Sequence, residues 1–245
     1  MTELIDLTGK TVIVTGASSG IGAATARRLH AAGAHPVLAA RRADRLDELS
    51  KELDGALAVP TDVTDPAQVT DLVTATLDRH QRIDGLVNNA GVSVHGSLDQ
   101  TDLAAFSQAL QLNVVALVAV TQAVLPAMRA QGFGRIVNVS SGTTRRVAVG
   151  VGAYASTKYA VNMLTAVMRE ELADDGIAVS LVVPSVTATE FGNGMFKLGA
   201  SPRPGQVVQS PDYVAGVVLR LLRTGEESFD IPHGPEQPGL ADLPA

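Results

Sequence analysis

The residues with the clearest capacity for chemistry are Tyr154 and Lys158, in the run Tyr154-Ala155-Ser156-Thr157-Lys158, with Ser141 a short way upstream. Tyr154 and Lys158 are four residues apart, so on a helix they share one face, one turn apart. A phenol, with a pKa of roughly 10, moves protons poorly at neutral pH. An ammonium about 4 Å away, in an effective dielectric of about 20, favours the phenolate by ~4 kcal/mol, or roughly 3 pKa units. Desolvation of the phenol opposes that shift, which makes it an upper bound. Such a pair suits acid–base chemistry near pH 7. The pentapeptide alone is equally compatible with an amphipathic helix carrying one Tyr and one Lys.

The elements around it alternate. Short, β-branched, apolar stretches at residues 10–15, 35–40, 56–60, 83–88, 135–139 and 177–183 read as buried strands, with 228–231 as a further one. Between them lie helical patterns: residues 23–32, stopped by Gly33; 44–53, with Leu46, Leu49 and Leu53 on the inner face; a long one at 102–131; the Tyr154 helix, to about residue 174; and 211–224. Asp65 followed by Pro66 reads as a helix cap and first helical residue. Such alternation implies one α/β domain over residues 1–245, a parallel sheet of about seven strands with helices on both faces. The Gly/Pro-rich stretch within about 189–210 is too long for an idle connector and is expected to form a lid. A flexible tail is expected from about residue 234.

Composition narrows the class. The 245 residues are 46% hydrophobic and 18% charged, enough for a sizeable core. A net charge of −6 argues against a nucleic-acid partner, since no basic stripe is available to meet phosphates. The absence of cysteine excludes disulfides, thiolate metal sites and cysteine nucleophiles. The five histidines show no ligand spacing, so no metal site is expected. The N-terminal segment lacks a basic region followed by an apolar one, and the longest unbroken apolar run, 114–120, has seven residues. A cytoplasmic protein with no membrane partner is expected.

Gly16-Ala17-Ser18-Ser19-Gly20-Ile21-Gly22 lies between the first strand and the first helix. Glycines there let backbone approach a pyrophosphate, whose charge meets a helix N-terminus. The spacing departs from the usual G-x-G-x-x-G. It also matches the G-x-S-x-G elbow of α/β-hydrolases, which would make Ser18 a nucleophile and His233 its late base. That alternative lacks an oxyanion-loop signature and leaves Tyr154 and Lys158 without a purpose.

Thr15-Gly-x-x-x-Gly-x-Gly22, Asp62-Val63, Asn88-Asn89-Ala90-Gly91, Asn113, Ser141, Tyr154-x-x-x-Lys158 and Pro184 occur in that order over nearly the whole chain. Together they make it resemble the short-chain dehydrogenase/reductase family. The resemblance implies a single doubly wound, Rossmann-type domain binding a nicotinamide dinucleotide at the carboxyl ends of its strands. It implies that Tyr154 exchanges a proton with the substrate oxygen, that Lys158 holds the ribose hydroxyls and lowers the Tyr154 pKa, and that Ser141 polarises the substrate oxygen. Asn113 would link Lys158 to solvent through water, Asn89, Ala90 and Gly91 would lie beside the adenosine ribose, and Asp62 and Val63 would flank the adenine. Gly16, Ser18, Ser19, Gly20, Ile21 and Gly22 would hold phosphate, and Pro184, Thr187 and Thr189 the nicotinamide.

NAD-specific sites place an acid at the end of the second strand, on the ribose 2′-hydroxyl. Here that strand ends Ala39-Ala40-Arg41-Arg42. Nothing repels a 2′-phosphate, Arg41 can pair with it in bidentate fashion, and the cofactor expected is NADP(H) rather than NAD(H). Arg42 is read as a solvated charge. Ser185 stands where the family has glycine, and either crowds the nicotinamide or bonds to it. The walls over Tyr154, including Val94, Val147, Val149, Val151, Phe191, Met195 and Phe196, favour a small, apolar carbonyl or alcohol substrate. His95, Arg145 and Arg146 are read as solvated loop residues. A homodimer through the 102–131 and Tyr154 helices is expected, with the family's homotetramer in doubt. The function implied is that of an NADP(H)-dependent oxidoreductase acting on CH–OH and C=O groups, the alternative on the same fold being a non-catalytic dinucleotide-binding regulator.

Overall fold

The computed structural model describes residues 4–194, 196–198, 200, 202, 204–237 and 239. Met195 and most of the expected tail lie outside the described residues. Among the described residues seven strands run β1 (Thr11–Thr15), β2 (His35–Ala40), β3 (Ala58–Pro60), β4 (Gly85–Asn88), β5 (Gly134–Val139), β6 (Ile177–Val183) and β7 (Ser228–Asp230). They form one sheet in the order β3-β2-β1-β4-β5-β6-β7, every pair parallel. Strand β1, all of β2 after His35 and nearly all of β6 are buried, as continuous apolar runs require when helices cover both faces.

Helices α1 (Gly20–Ala31), α2 (Ala43–Glu52) and α8 (Pro211–Thr224) cover one face. Their Leu29, Leu46 and Leu221 are fully excluded from solvent against the sheet. The other face carries α3 (Pro66–His80), α5 (Ala116–Gln131) and α6 (Gly152–Leu172) through Leu72, Val124, Met128 and Val161. Helix α3 starts where expected: the Asp65 carboxylate accepts from the Ala67 N–H at 2.9 Å, and Pro66 opens the first turn.

Two boundaries differ from expectation for a visible reason. Strand β4 starts at Gly85 rather than at residue 83, because the Ile83 N–H donates to the Gln131 side chain instead of a neighbouring strand. Helix α1 starts three residues earlier than expected, so the glycine turn supplies its first turn.

The long 102–131 pattern is interrupted. Helix α4 (Leu103–Leu110) passes into a π-helical turn, Gln111–Val115, before α5. The combined stretch Leu103–Gln131 spans 29 residues with a mean hydropathy of 1.8 in its most apolar part, enough in length and composition to cross a bilayer. Here its inner side lies on the sheet, where Ala116, Val120, Val124 and Met128 are buried.

Chain order reverses between β1 and β4, because the chain runs β1–β2–β3 outward and then returns to the other side of β1. The carboxyl ends of those two strands therefore diverge into a crevice.

Candidate active site

A cleft of ≈ 1160 Å³ opens at that crevice. It is lined from one end to the other by the glycine turn, the end of β2, Asp62 and Val63, Asn89 to Gly91, Ser141, Tyr154, Lys158 and the Pro184–Thr189 segment. Of the expected site residues, Gly22 and Asn113 stand behind this wall and hold it.

The glycine turn is built from inside. The Thr15 hydroxyl accepts from the N–H groups of Asn89 (3.0 Å) and Ala90 (3.1 Å) and donates to the Val87 carbonyl. The Asn89 amide returns the connection, donating to Thr15 O at 2.9 Å and Gly16 O at 3.3 Å. The Asn89 side chain is thus a buttress of the turn. A Cβ on Gly22 would collide with the Gly16 carbonyl oxygen, and one on Gly16 (φ +68) would sit 2.8 Å from the Asn89 amide nitrogen. Ser19 precedes α1 without a side-chain cap bond, and the first turn carries no acid. The N–H groups of that turn are left to an anion, the environment a pyrophosphate needs.

At the other end, Tyr154 and Lys158 are both buried, on the first turns of α6. Burial pushes the Tyr154 phenol up to about 12, and a hydrogen bond with Ser141 pulls it partly back. Burial pushes the Lys158 ammonium down to about 8, and its Nζ donates to the Val139 carbonyl at 2.8 Å. The expected lowering of the phenol by Lys158 is therefore not what the protein's own groups produce. Removing the phenol from water outweighs the Ser141 bond, and the ammonium is committed to a β5 carbonyl. Ser141 Oγ accepts from the Thr143 N–H and hydroxyl, which orient it at the start of a tight turn.

Asn113 sits in the π-helical turn and is 1% exposed. Its amide grips Val92 at both backbone groups, Oδ1 accepting from N–H and Nδ2 donating to C=O, each at 2.9 Å, and also donates to the Thr157 hydroxyl at 3.0 Å. Both Nδ2 hydrogens are used in these bonds, so the water link expected from Asn113 to Lys158 is left to Oδ1 or the backbone carbonyl. The side chain itself holds Gly91–Val92 against α6: a Cβ on Gly91 would lie 3.1 Å from Asn113 Oδ1 and 3.7 Å from Lys158 Nζ.

Arg42 is not the solvated charge expected. Its guanidinium donates to Ser18 Oγ (2.9 Å), Ser19 Oγ (2.7 Å) and Glu190 Oε2 (2.8 Å). Arg41 lines the same end, within electrostatic reach of Asp62. Local reading missed Arg42 because Glu190 comes from 148 residues downstream. The Ser185 hydroxyl shares a 2.8 Å hydrogen bond with His233 Nδ1. That bond, and the Ser18–Arg42 bonds, remove the hydrolase alternative, since proposed nucleophile and base are each committed elsewhere. Arg145 is held by Asp230 and Arg146 lines the cleft, so these neighbours do not share one role. His95 is exposed at the rim, as expected. Phe191, in the short helix α7 (Phe191–Gly194), lies against Tyr154 with ring centroids 5.7 Å apart. Among the described residues no cluster of metal-ligating side chains occurs.

Comparison with known proteins agrees with this arrangement. The family model for short chain dehydrogenases matches residues 10–197. An uncharacterized oxidoreductase of Staphylococcus haemolyticus is 36% identical over 221 residues, covering 89% of this chain and 93% of that protein. A glycine betaine reductase of Emericella nidulans is 35% identical over 230 residues, 90% of this chain, which spans only 18% of that longer protein. Among solved structures, a 3-ketoacyl-(acyl-carrier-protein) reductase of Brucella melitensis complexed with NADH superposes with a TM-score of 0.87 at 28% identity, covering 93% of this chain and 98% of that one. A short chain dehydrogenase of Burkholderia cenocepacia in complex with NADP gives 0.84 at 30% identity, covering 94% and 99%.

Proposed function

The chain belongs to the short-chain dehydrogenase family, and from that premise we propose that it is an NADP(H)-dependent oxidoreductase interconverting a ketone or aldehyde and its alcohol. The observation that carries this reading is the convergence of Ser141, Tyr154 and Lys158 on one wall of a cleft whose other end is an uncapped helix N-terminus beside two arginines. When bound, the nicotinamide supplies the hydride donor or acceptor. The rest falls to the protein.

Gly16, Ser18, Ser19, Gly20 and Ile21 would hold the pyrophosphate, Asp62, Val63 and Asn89–Gly91 the adenosine, and Pro184, Thr187 and Thr189 the nicotinamide amide. Ser141 would donate to the substrate oxygen and orient it toward Tyr154. In reduction the Tyr154 hydroxyl gives its proton to that oxygen; in oxidation the phenolate takes it back. Lys158, already aimed past Gly91 by its bond to Val139, would meet the ribose hydroxyls and offset the charge left on Tyr154. A protein serving only to bind dinucleotide has no need of a buried phenol and ammonium side by side, since each is costly to desolvate.

For NADP(H) over NAD(H), the support is the missing acid after β2 and the cations at that end, Arg41 joined by Arg42. Val151, Phe191 and Phe196 line the substrate end and favour an apolar substrate, whereas Val94, expected there, packs in the core beside Ala109 and Ala153, and Val147 and Val149 lie exposed outside the cleft. A homodimer would form through the outer faces of α4–α5 and α6, where Leu103, Leu110, Val115, Tyr159, Met163 and Val167 are exposed. A cytoplasmic location fits the lack of cysteine. Titrating NADPH and NADH by nicotinamide fluorescence tests the cofactor. NADPH should bind about tenfold or more tightly, and Arg41→Ala with Arg42→Ala should remove that margin while sparing NADH. Equal affinities in the wild type would contradict it.

A further inference from the structure

Three consecutive lid residues touch three separate parts of the cleft. Thr189 packs on the glycine turn: a Cβ on Gly20 (φ +54) would lie 2.9 Å from its methyl carbon. Phe191 lies against the Tyr154 ring. Between them, Glu190 bridges two guanidinia, Oε2 accepting from Arg42 at 2.8 Å and Oε1 from Arg45 at 2.9 Å. Those bonds hold its carboxyl below the usual range. Arg42 in turn donates to Ser18 and Ser19, so a continuous polar chain runs from the phosphate turn through α2 to the lid.

A carboxylate shared by two arginines, one of them also held by neighbouring hydroxyls, is the chemical counterpart of a phosphate in the same cradle. Its position is the end of β2, where an adenosine ribose carries either a 2′-hydroxyl or a 2′-phosphate. We propose that Glu190 is a cofactor-specificity residue of this protein, an internal competitor that a 2′-phosphate displaces from Arg42 and Arg45, loosening Phe191 from Tyr154 as it does so. The proposal rests on the NADP(H) reading above. A dianion outcompetes a single carboxylate for two cations, and an exposed ion pair of this kind is weak enough to yield. A dinucleotide with a free 2′-hydroxyl has no group that displaces Glu190, so it leaves the lid latched. Glu190 thus tempers affinity for the 2′-phosphate form alone and makes release of the lid a response that only this form can cause.

The test uses adenosine 2′,5′-bisphosphate and 5′-AMP, which differ only in the 2′-phosphate, with the intact protein and the exposed-site variant Glu190→Gln, followed by calorimetry. Removing the competitor should tighten adenosine 2′,5′-bisphosphate about three- to tenfold and leave 5′-AMP unchanged. Because the chain contains no tryptophan, Phe191→Trp adds a single reporter of the lid. Its emission should shift on adding the bisphosphate, not 5′-AMP, and should already be shifted when combined with Glu190→Gln. Unchanged bisphosphate affinity in Glu190→Gln, with the wild type still preferring the bisphosphate, would overturn the competitor while leaving the NADP(H) reading intact. Equal wild-type affinity for both nucleotides would overturn that reading and the proposal with it. Weaker 5′-AMP binding in Glu190→Gln would make Glu190 an acceptor for the ribose hydroxyls, also overturning it.

Discussion

Ser141 and burial push the Tyr154 phenol in opposite directions, and burial prevails at about 12. In alcohol oxidation the ionised phenol is the working form, so the rate rises with pH up to its pKa. Ser141→Ala removes the downward pull, and the rising limb of kcat/KM for oxidation should therefore move to higher pH; a limb that moves lower would contradict the assignment. Stability gives a second readout. Lys158 has a folded pKa of about 8 against 10.5 unfolded, so between those values the unfolded chain binds more protons and stability rises with pH. Tyr154 keeps its proton in the fold until about 12 against 10 unfolded, so stability is lost as pH climbs from 10 toward 12. Urea midpoints should rise from pH 8 to 10 and then fall, and in Lys158→Met the first rise should vanish. Ser141, Tyr154 and Lys158 were legible because residue type and short-range spacing carry them. Arg42 and Ser185 were not, because Glu190 and His233 reach them from distant parts of the chain.

Among the elements, the π-helical turn has the most to do with the site. A regular helix through residues 103–131 would present a different face at Asn113, and the added residue in this turn aims its amide at Val92 and Thr157. Asn113→Ala would remove all three bonds of this buried amide, two to Val92 and one to the buried Thr157 hydroxyl. It should cost about 2 kcal/mol in chemical denaturation and weaken cofactor binding with it. Loss of turnover with unchanged stability and affinity would point instead to a direct part in proton movement. Gly22→Ala should abolish dinucleotide binding, because a Cβ there strikes backbone rather than a movable side chain. Strands at 35–40 and 177–183 and the helix at 211–224 matched their sequence boundaries, since Pro, Gly and β-branched residues mark them sharply. The π turn left no such mark: its apolar spacing continues the helices on either side.

At the scale of the whole molecule, the parallel order β3-β2-β1-β4-β5-β6-β7 creates the crevice, and strand–helix alternation made that architecture readable from the outset. Helix stretch Leu103–Gln131 is apolar beyond what its sheet-facing side requires. A second copy covering the outer face would account for the remainder. Met163, 67% exposed on α6, is a sensitive probe of that face: Met163→Glu should shift sedimentation toward monomer, and an unchanged mass would remove this interface. The central claim concerns chemistry at Tyr154, and the most direct measurement is turnover of NADPH with a panel of ketones and aldehydes by the wild type and Tyr154→Phe. Loss of the proton donor should lower kcat by about 10²–10⁴-fold with NADPH affinity nearly unchanged. Undiminished turnover in Tyr154→Phe would contradict the account.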